Sequence, residues 1–97
     1  MGLFRLTVRA DADLDSIGIY TRRKWGAKQA IRYLSQLDET FAILARTPGL
    51  GKDRGDLRSG LMSCPCNRHV IFFRRDGRGN VQILRILHQR MDFQRHV

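Results

Sequence analysis

Residues 69–87 have the sequence HVIFFRRDGRGNVQILRIL, and this stretch decides the fold. HVIFFRR consists largely of β-branched and aromatic residues, which favour a strand. DGRGN, at 76–80, is typical of a hairpin turn. VQILRIL, at 81–87, is a nearly continuous apolar run, as expected for a central strand that is covered on at least one face. The stretch therefore predicts a β-hairpin within a sheet.

Two further strands and a connector are predicted outside this hairpin. LFRLTVR, residues 3–9, alternates apolar and polar side chains, which indicates a half-buried strand. LRSGLMS, residues 57–63, predicts a weaker strand. The segment PGLGKDRGDLRSG, residues 48–60, is rich in glycine and charge. It lacks the Lys-Ser or Lys-Thr pair and the strand-to-helix context of a phosphate-binding loop, so we interpret it as a connector.

The sequence between the first strand and this connector predicts two helices. DADLDSIGIYTRRKWG, residues 11–26, offers Asp11 as N-cap and Gly26 as C-cap, with acidic residues near its start and basic residues at its end. Its apolar stripe comprises Leu14, Ile17 and either Tyr20 or Thr21. AKQAIRYLSQLDETFAILARTP begins at residue 27 and is stopped by Pro48. Its stripe comprises Ala27, Ala30, Ile31, Leu34, Leu37, Phe41 and either Leu44 or Ala45.

The predicted fold class is α+β, with the element order β-α-α-β-β-β. Because the connection at Gly26 is very short, the two helices should form an antiparallel hairpin, packed on a small twisted antiparallel sheet. The tail at 88–97 is compatible with one or two helical turns. Ninety-seven residues are enough for one hydrophobic core and too few for two, so we expect a single domain over residues 1–97.

Charge is the strongest feature of the composition. Eighteen Lys and Arg residues, fifteen of them Arg, oppose nine Asp and Glu residues, which gives a net charge of +9. This excess predicts an acidic partner, either nucleic acid or an acidic protein, although a basic surface without such a partner is the alternative. No apolar run approaches the roughly 20 residues that span a bilayer. The N-terminus lacks a secretory apolar region, so we expect a cytoplasmic protein that binds no membrane.

The two cysteines, Cys64 and Cys66, occur as CPC. On a strand they would point the same way, as half of a metal site would require. No second cysteine pair exists, and His69 is the one nearby candidate ligand. We therefore interpret them as incidental thiols and expect neither a metal nor a cofactor.

Five short motifs occur in a fixed order between Leu14 and Asp92: WG between the helices, LARTPGLG after the second helix, then DLRSGL, RHVIFF and RILHQRMD. Together they resemble the ParE family of bacterial type II toxin–antitoxin systems, within the RelE/ParE superfamily. The resemblance implies the fold predicted above. It also implies a toxin that poisons DNA gyrase, alone or in its complex with DNA, and thereby blocks replication. A ParD-like antitoxin would hold it inactive in a hetero-oligomer.

RelE-like toxins of the same superfamily provide the alternative, since they cut mRNA in the ribosomal A site. That chemistry needs a base, an acid and cations around the phosphate. The RelE-like lysines would fall in LMSCPCN, residues 61–67, which contains no Lys. Arg68 and Arg90 match RelE-like arginines, but no Tyr follows Arg90, and His96 near the terminus is the remaining acid–base candidate. We therefore predict a protein that binds its target without catalysing a reaction, with no catalytic residues.

Arg85, His88, Arg90 and Asp92 form a group of ionisable residues at the end of the last strand. One interpretation is a network that pins the tail to the sheet, in which Arg85 shares a face with Ile83 and Leu87 and pairs with Asp56 or Asp92. In that network His88 would cap backbone groups or stay neutral and half-buried. The other interpretation is a target-binding surface, for which the candidates are Arg68, His69, His88 and Arg90.

The antitoxin should lay an amphipathic helix against residues 14–37, with apolar anchors between the two helices and acidic groups on nearby arginines. The candidate contacts are Leu14, Ile17, Tyr20, Arg22, Arg23, Ile31, Arg32 and Leu34. We interpret Trp25 as a residue packed within the helical hairpin, with a partner anchor as the alternative. Tyr20 and Tyr33 are expected to belong to the core.

Overall fold

The computed structural model describes residues 2–97 and contains two helices on a five-stranded sheet. The elements, in chain order, are β1 (Phe4–Leu6), α1 (Val8–Trp25), α2 (Ala27–Arg46), β2 (Lys52–Asp53), β3 (Met62–Cys66), β4 (His69–Arg75) and β5 (Val81–His88). Single 3₁₀ turns lie at Pro48–Leu50 and Phe93–Arg95. The predicted α+β class, with a helical hairpin packed on a sheet, is confirmed. Among the helices of residues 2–97, none combines the length and apolarity needed to cross a bilayer.

The sheet is mixed, with the strand order β1-β5-β4-β3-β2. The hairpin of β4 and β5 lies in its interior, as predicted, and β2, β3, β4 and β5 pair antiparallel. β1 instead runs parallel to β5, with Phe4 opposite Val81 and Leu6 opposite Ile83. The expectation of a wholly antiparallel sheet therefore fails at β1. A half-buried strand alternates in the same way in either direction, so its sequence pattern does not specify orientation.

α1 begins one turn earlier than predicted, and β1 is shorter than the strand expected over 3–9. Thr7, not Asp11, is the N-cap: its hydroxyl accepts a hydrogen bond from the Ala10 N–H at 3.0 Å and donates one to the Leu84 carbonyl at 2.9 Å. Asp11 lies in the first turn instead. Because α1 begins at Val8, Ala10 lies within the helix, where it is completely buried.

The helical hairpin turns at Gly26, as predicted. Gly26 has φ 92°, and its N–H donates to the Arg22 carbonyl at 2.9 Å. Trp25 beside it is 57% exposed, so the prediction that it packs within the hairpin is wrong. Trp25 is the last residue of α1.

The apolar stripes of both helices are narrower than predicted. Of the two alternatives on α1, Thr21 is buried, whereas Tyr20 is 60% exposed and does not belong to the core. On α2, Ala27 and Ile31 are exposed. Successive helical residues turn by about 100°, so Ile31 lies to the side of the buried row rather than on it. That row consists of Ala30, Leu37, Phe41, Leu44 and Ala45.

Two apolar clusters lie on opposite faces of the sheet. The larger one, beneath the helices, includes Phe41, Ile71, Phe73 and Ile83. The smaller one is centred on Leu61, Phe72 and Leu87, and Phe93 and Val97 of the tail are among the residues packed against it. A β-bulge at Phe72/Phe73 shifts the register against β5. Ile83 and Leu87 therefore do not share a face, contrary to the prediction.

The segment between α2 and β4 differs from the expected strand at 57–63. β3 starts at Met62 and continues through both cysteines. The preceding residues form a turn, in which the Leu57 N–H donates to the Arg54 carbonyl at 3.0 Å and Gly60 has φ 79°. The left-handed backbone at Gly60 ends the turn, so the strand cannot begin before it.

Candidate partner-binding groove

A groove of about 850 Å³ opens between the helical hairpin and one end of the sheet. α1 and α2 contribute aromatic and polar side chains to it, and the turn between β3 and β4 and the end of β5 contribute arginine, asparagine and histidine. No Asp or Glu occurs among the described residues that line it. Its arginines and histidines are Arg32, Arg68, His69 and His88. The groove therefore suits an anionic partner.

The turn between β3 and β4 is tied to α2 by two hydrogen bonds. Asn67 adopts φ 56°, a left-handed conformation that asparagine tolerates better than most residues. Its side-chain amide donates to Gln36 Oε1 at 2.6 Å. The next N–H, that of Arg68, donates to the Tyr33 hydroxyl at 3.3 Å. The backbone that carries Arg68 is thus fixed, while its side chain is exposed.

Tyr33 and His69 form the polar centre of the groove, with the hydroxyl 2.5 Å from Nδ1. Burial lowers the pKa of His69, the neighbouring His88 lowers it further, and Asp13 opposes both effects. The imidazole is therefore neutral near pH 7, and its tautomer decides whether Nδ1 or the tyrosine hydroxyl is the donor of this hydrogen bond. Burial also raises the pKa of Tyr33, against the opposing hydrogen bond from the Arg68 backbone.

His88 extends this centre along β5. Its ring stands edge-on to that of His69, with the centroids 5.4 Å apart. Its Nδ1 accepts a hydrogen bond from the Arg90 N–H at 3.2 Å, which confirms the predicted role in capping the backbone after the strand. Arg90 itself is exposed and lies outside the groove lining.

Arg85 supports the opposite side of this region through a pair with Asp13. Its Nε and Nη2 donate to the two carboxylate oxygens at 2.8 and 2.9 Å, and Nη1 donates to the His96 carbonyl at 3.0 Å. The Ile86 N–H also donates to Asp13, at 2.9 Å. The expected network that pins the tail to the sheet is therefore present.

The predicted carboxylate partners of Arg85, Asp56 and Asp92, are both wrong. Asp56 pairs with Arg54 at 3.1 Å, and Asp92 lies 3.6 Å from Arg95 on the surface. The true partner, Asp13 on α1, could not be predicted because its contact with Arg85 on β5 spans 72 positions in sequence.

Three of the four candidate target-binding residues meet in the groove: Arg68, His69 and His88. The candidate antitoxin contacts are divided among several places. Ile17, Tyr20 and Arg32 line the same groove, whereas Ile31 and Leu34 line a shallow depression on another side of α2, and Leu14 packs against the core. Arg22 and Arg23 are exposed on the last turn of α1.

An exposed aromatic pair lies at the hairpin end of the groove. Tyr20 and Trp25 are 60% and 57% exposed. The Lys24 ammonium lies 5.6 Å from the centroid of each ring and 3.1 Å from the Tyr20 hydroxyl. Aromatic faces and a positive charge therefore occur side by side at this end.

The sequence reasoning missed Tyr33 as a groove residue, because it was assigned to the core. The ring is half-buried, but its hydroxyl holds both His69 and the backbone of Arg68. Its spacing from Ala30 and Leu37 places it at the edge of the buried row, where a tyrosine can keep its hydroxyl in a polar site. That spacing is the signal that could have identified it.

The structure gives the cysteines no metal partner set. Cys64 and Cys66 are free thiols, and burial raises the pKa of Cys64. The part of the chain that the structure describes contains no cluster of three or more His, Cys, Asp or Glu side chains that could hold a metal ion.

Comparisons with known proteins agree with the fold. Residues 4–93 match the family described as the ParE toxin of the type II toxin–antitoxin system parDE. Toxin ParE1 of Caulobacter vibrioides is 40% identical over 94 residues, which cover 97% of this chain and 96% of that protein. The chain belongs to the ParE toxin family.

Two solved structures have the same architecture. The chromosomal ParDE toxin–antitoxin system from P. aeruginosa contains a chain with a TM-score of 0.78 and 26% identity, and the match covers 91% of this chain and 96% of that one. The toxin–antitoxin complex RelBE2 from Mycobacterium tuberculosis gives a TM-score of 0.65, also at 26% identity, over 91% of this chain and 98% of that one. The RelE-type neighbour is thus the more distant of the two in structure.

Proposed function

We propose that this protein is a toxin that inhibits DNA gyrase by binding it, alone or in its complex with DNA, and that a ParD-like antitoxin neutralises it. Membership of the ParE family supports the first part. The observation that carries the proposal is the groove, where His69 and His88 lie among the charged side chains of Arg32 and Arg68, with no carboxylate among the described lining residues. Because gyrase acts on the chromosome, we infer that the protein works in the cytoplasm.

A binding mechanism fits this groove better than a nuclease mechanism. Cleavage through a 2′-hydroxyl requires a positioned base and acid beside the cations. In both groove histidines the protein itself engages Nδ1, through Tyr33 in His69 and through the Arg90 N–H in His88, so Nε2 is the ring nitrogen that could meet a ligand. β3, where RelE-like enzymes carry lysines, has the sequence MSCPC.

The antitoxin would be an acidic segment that folds onto the basic surface of the toxin. Such a segment can wrap a large area and still be released. Exposed Arg22 and Arg23 would steer it, and Arg32 and Tyr20 would receive it in the groove. In the resulting hetero-oligomer, the antitoxin would thus cover toxin residues that would otherwise contact the target. The P. aeruginosa and M. tuberculosis structures, both of toxin–antitoxin systems, support a partner of this kind.

Two parallel assays test the target. Purified toxin is added to gyrase with relaxed plasmid, and separately to a translation reaction whose mRNA is examined for cuts. We expect loss of supercoiling with accumulation of cleaved DNA, and intact mRNA. Folded toxin that leaves gyrase unaffected at micromolar excess while cutting translated mRNA would replace this function with the RelE-like one.

A further inference from the structure

We propose that the groove binds single-stranded DNA directly, with Trp25 and Tyr20 stacking on bases and Arg68 and Arg32 contacting phosphates. The choice of DNA rests on the proposed function, since gyrase holds DNA, whereas the recognition chemistry rests on the groove itself.

The aromatic end of the groove presents exposed ring faces on which unpaired bases can stack. Trp25 and Tyr20 are more than half exposed, although large aromatic side chains usually bury most of their surface. Stacking on such rings tolerates any sequence, because every base has a π-face. A duplex hides those faces, so this end of the groove favours a single strand.

The groove lining also supplies positive charge. Arg32 lies on α2 and Arg68 on the β3–β4 turn, and Lys24 adds an ammonium beside both rings. Gln36 and Asn67, already bonded to each other, add polar atoms between them. A volume of about 850 Å³ is sufficient for a ligand of drug size, and therefore for a base with its phosphate.

A net charge of +9 attracts any nucleic acid, so the test must separate the groove from the bulk charge. Fluorescence anisotropy would measure the binding of toxin to a labelled single-stranded DNA 12-mer, to the same length of duplex, to an abasic 12-mer of equal charge, and to the RNA 12-mer. We expect the single strand to bind about tenfold more tightly than the abasic strand, as one stacked base would give. Equal affinity for the two, or tighter binding of duplex or RNA, would overturn the proposal.

Matched variants locate the contact. W25A should weaken single-strand binding about tenfold and leave abasic binding unchanged, whereas I19A, which removes an equally exposed side chain outside the groove, should change neither.

R68A should reduce the slope of log affinity against log salt by about 0.7, the value for one phosphate contact on a single strand. R78A, in the turn at the other end of β4, should keep the slope. Equal effects of R68A and R78A would show that bulk charge alone is measured, and the proposal would fall.

The gyrase assay distinguishes this inference from the proposed function. If gyrase inhibition persists and depends on Arg68 while the oligonucleotide experiments fail, the groove contacts the gyrase protein, and the DNA proposal is overturned. If the oligonucleotide experiments succeed while gyrase is unaffected, the groove binds DNA as proposed and the gyrase function is the part that fails.

Discussion

The ion pair of Arg85 and Asp13 is the polar contact on which the tail most depends. The two side chains are 13% and 15% exposed, and three hydrogen bonds link the guanidinium to α1 and to the tail. Replacing Arg85 with Ala leaves a carboxylate largely buried without its partner. We expect a loss of about 3 kcal/mol in the free energy of unfolding, as for other broken buried pairs.

Arg90 is the matched control, because it is exposed and only its backbone N–H is used. R90A should cost less than about 1 kcal/mol, as surface charges usually do. Urea titrations of the two variants would measure the difference. Identical midpoints would mean that the pair with Asp13 contributes nothing to stability.

His69 should make stability depend on pH. Burial and the neighbouring His88 hold the pKa of His69 in the folded protein below the usual value. The groups that face His69 are Tyr33, His88 and Asp13. In the unfolded chain the imidazole gains its proton near pH 6.5, whereas the folded protein resists it. The unfolded state therefore binds more protons between pH 7 and 5, and the free energy of unfolding falls over that range.

The H69Q variant tests this pH dependence. Its free energy of unfolding should change less between pH 7 and 5 than that of the wild type. Denaturation curves at both pH values provide the measurement. An unchanged pH dependence in H69Q would assign the acid sensitivity to another group.

The sequence predicts which helices and strands form better than it predicts the residues at which they begin. The hairpin of β4 and β5 and the whole of α2 follow from β-branched residues, a turn sequence and a helical apolar period, all of which act over a few residues. The start of α1 was wrong because Thr7 and Asp11 are both acceptable N-caps, and the choice depends on a hydrogen bond from Thr7 to distant Leu84.

The turn at Gly26 should be sensitive to any side chain. Its φ of 92° and ψ of 166° are essentially restricted to glycine, and such strain costs about 1–3 kcal/mol in other residues. G26A should therefore lower the free energy of unfolding by that amount, even though a Cβ there would meet no atom within 4 Å. Chemical denaturation would show this as a lower midpoint.

Gly49 provides the control for that substitution. A Cβ at Gly49 would lie 3.8 Å from the nearest atom, an ordinary contact, and its φ is not positive. G49A should be neutral or stabilise by about 0.4–1 kcal/mol through the unfolded chain. If G26A and G49A unfold alike, the backbone conformation at Gly26 is not the source of the effect.

The last turn of α1 should steer the antitoxin. Arg22 and Arg23 are exposed and their charges are free to attract an acidic segment. Reversing both to Glu should lower the association rate at low salt and leave the circular dichroism spectrum unchanged. The same double reversal at Arg74 and Arg75, exposed at the far end of β4, should affect the rate less. Stopped-flow rates that match the wild type for the α1 variant would place the contact elsewhere.

At the scale of the whole molecule, the site depends on contacts that no local pattern encodes. Arg68, His69 and His88 are predicted to bind the target, and Tyr20 and Arg32 are predicted to bind the antitoxin. No pattern in the sequence indicates that these five residues line one groove. Their meeting requires the helical hairpin to lie over the end of the sheet. The parallel pairing of β1 and the contact of Arg85 with Asp13 were unpredictable for the same reason, since both join distant parts of the chain.

We propose that this groove inhibits gyrase, and a supercoiling assay can test it with three proteins. They are wild-type toxin, R68E and R78E, and the two variants change charge equally at opposite ends of β4. We predict that wild type and R78E block supercoiling and accumulate cleaved DNA at similar concentrations, and that R68E needs about tenfold more protein, the effect of roughly 1.4 kcal/mol of lost binding. Equal potency of R68E and R78E, or a folded wild-type toxin that leaves gyrase unaffected, would contradict the account.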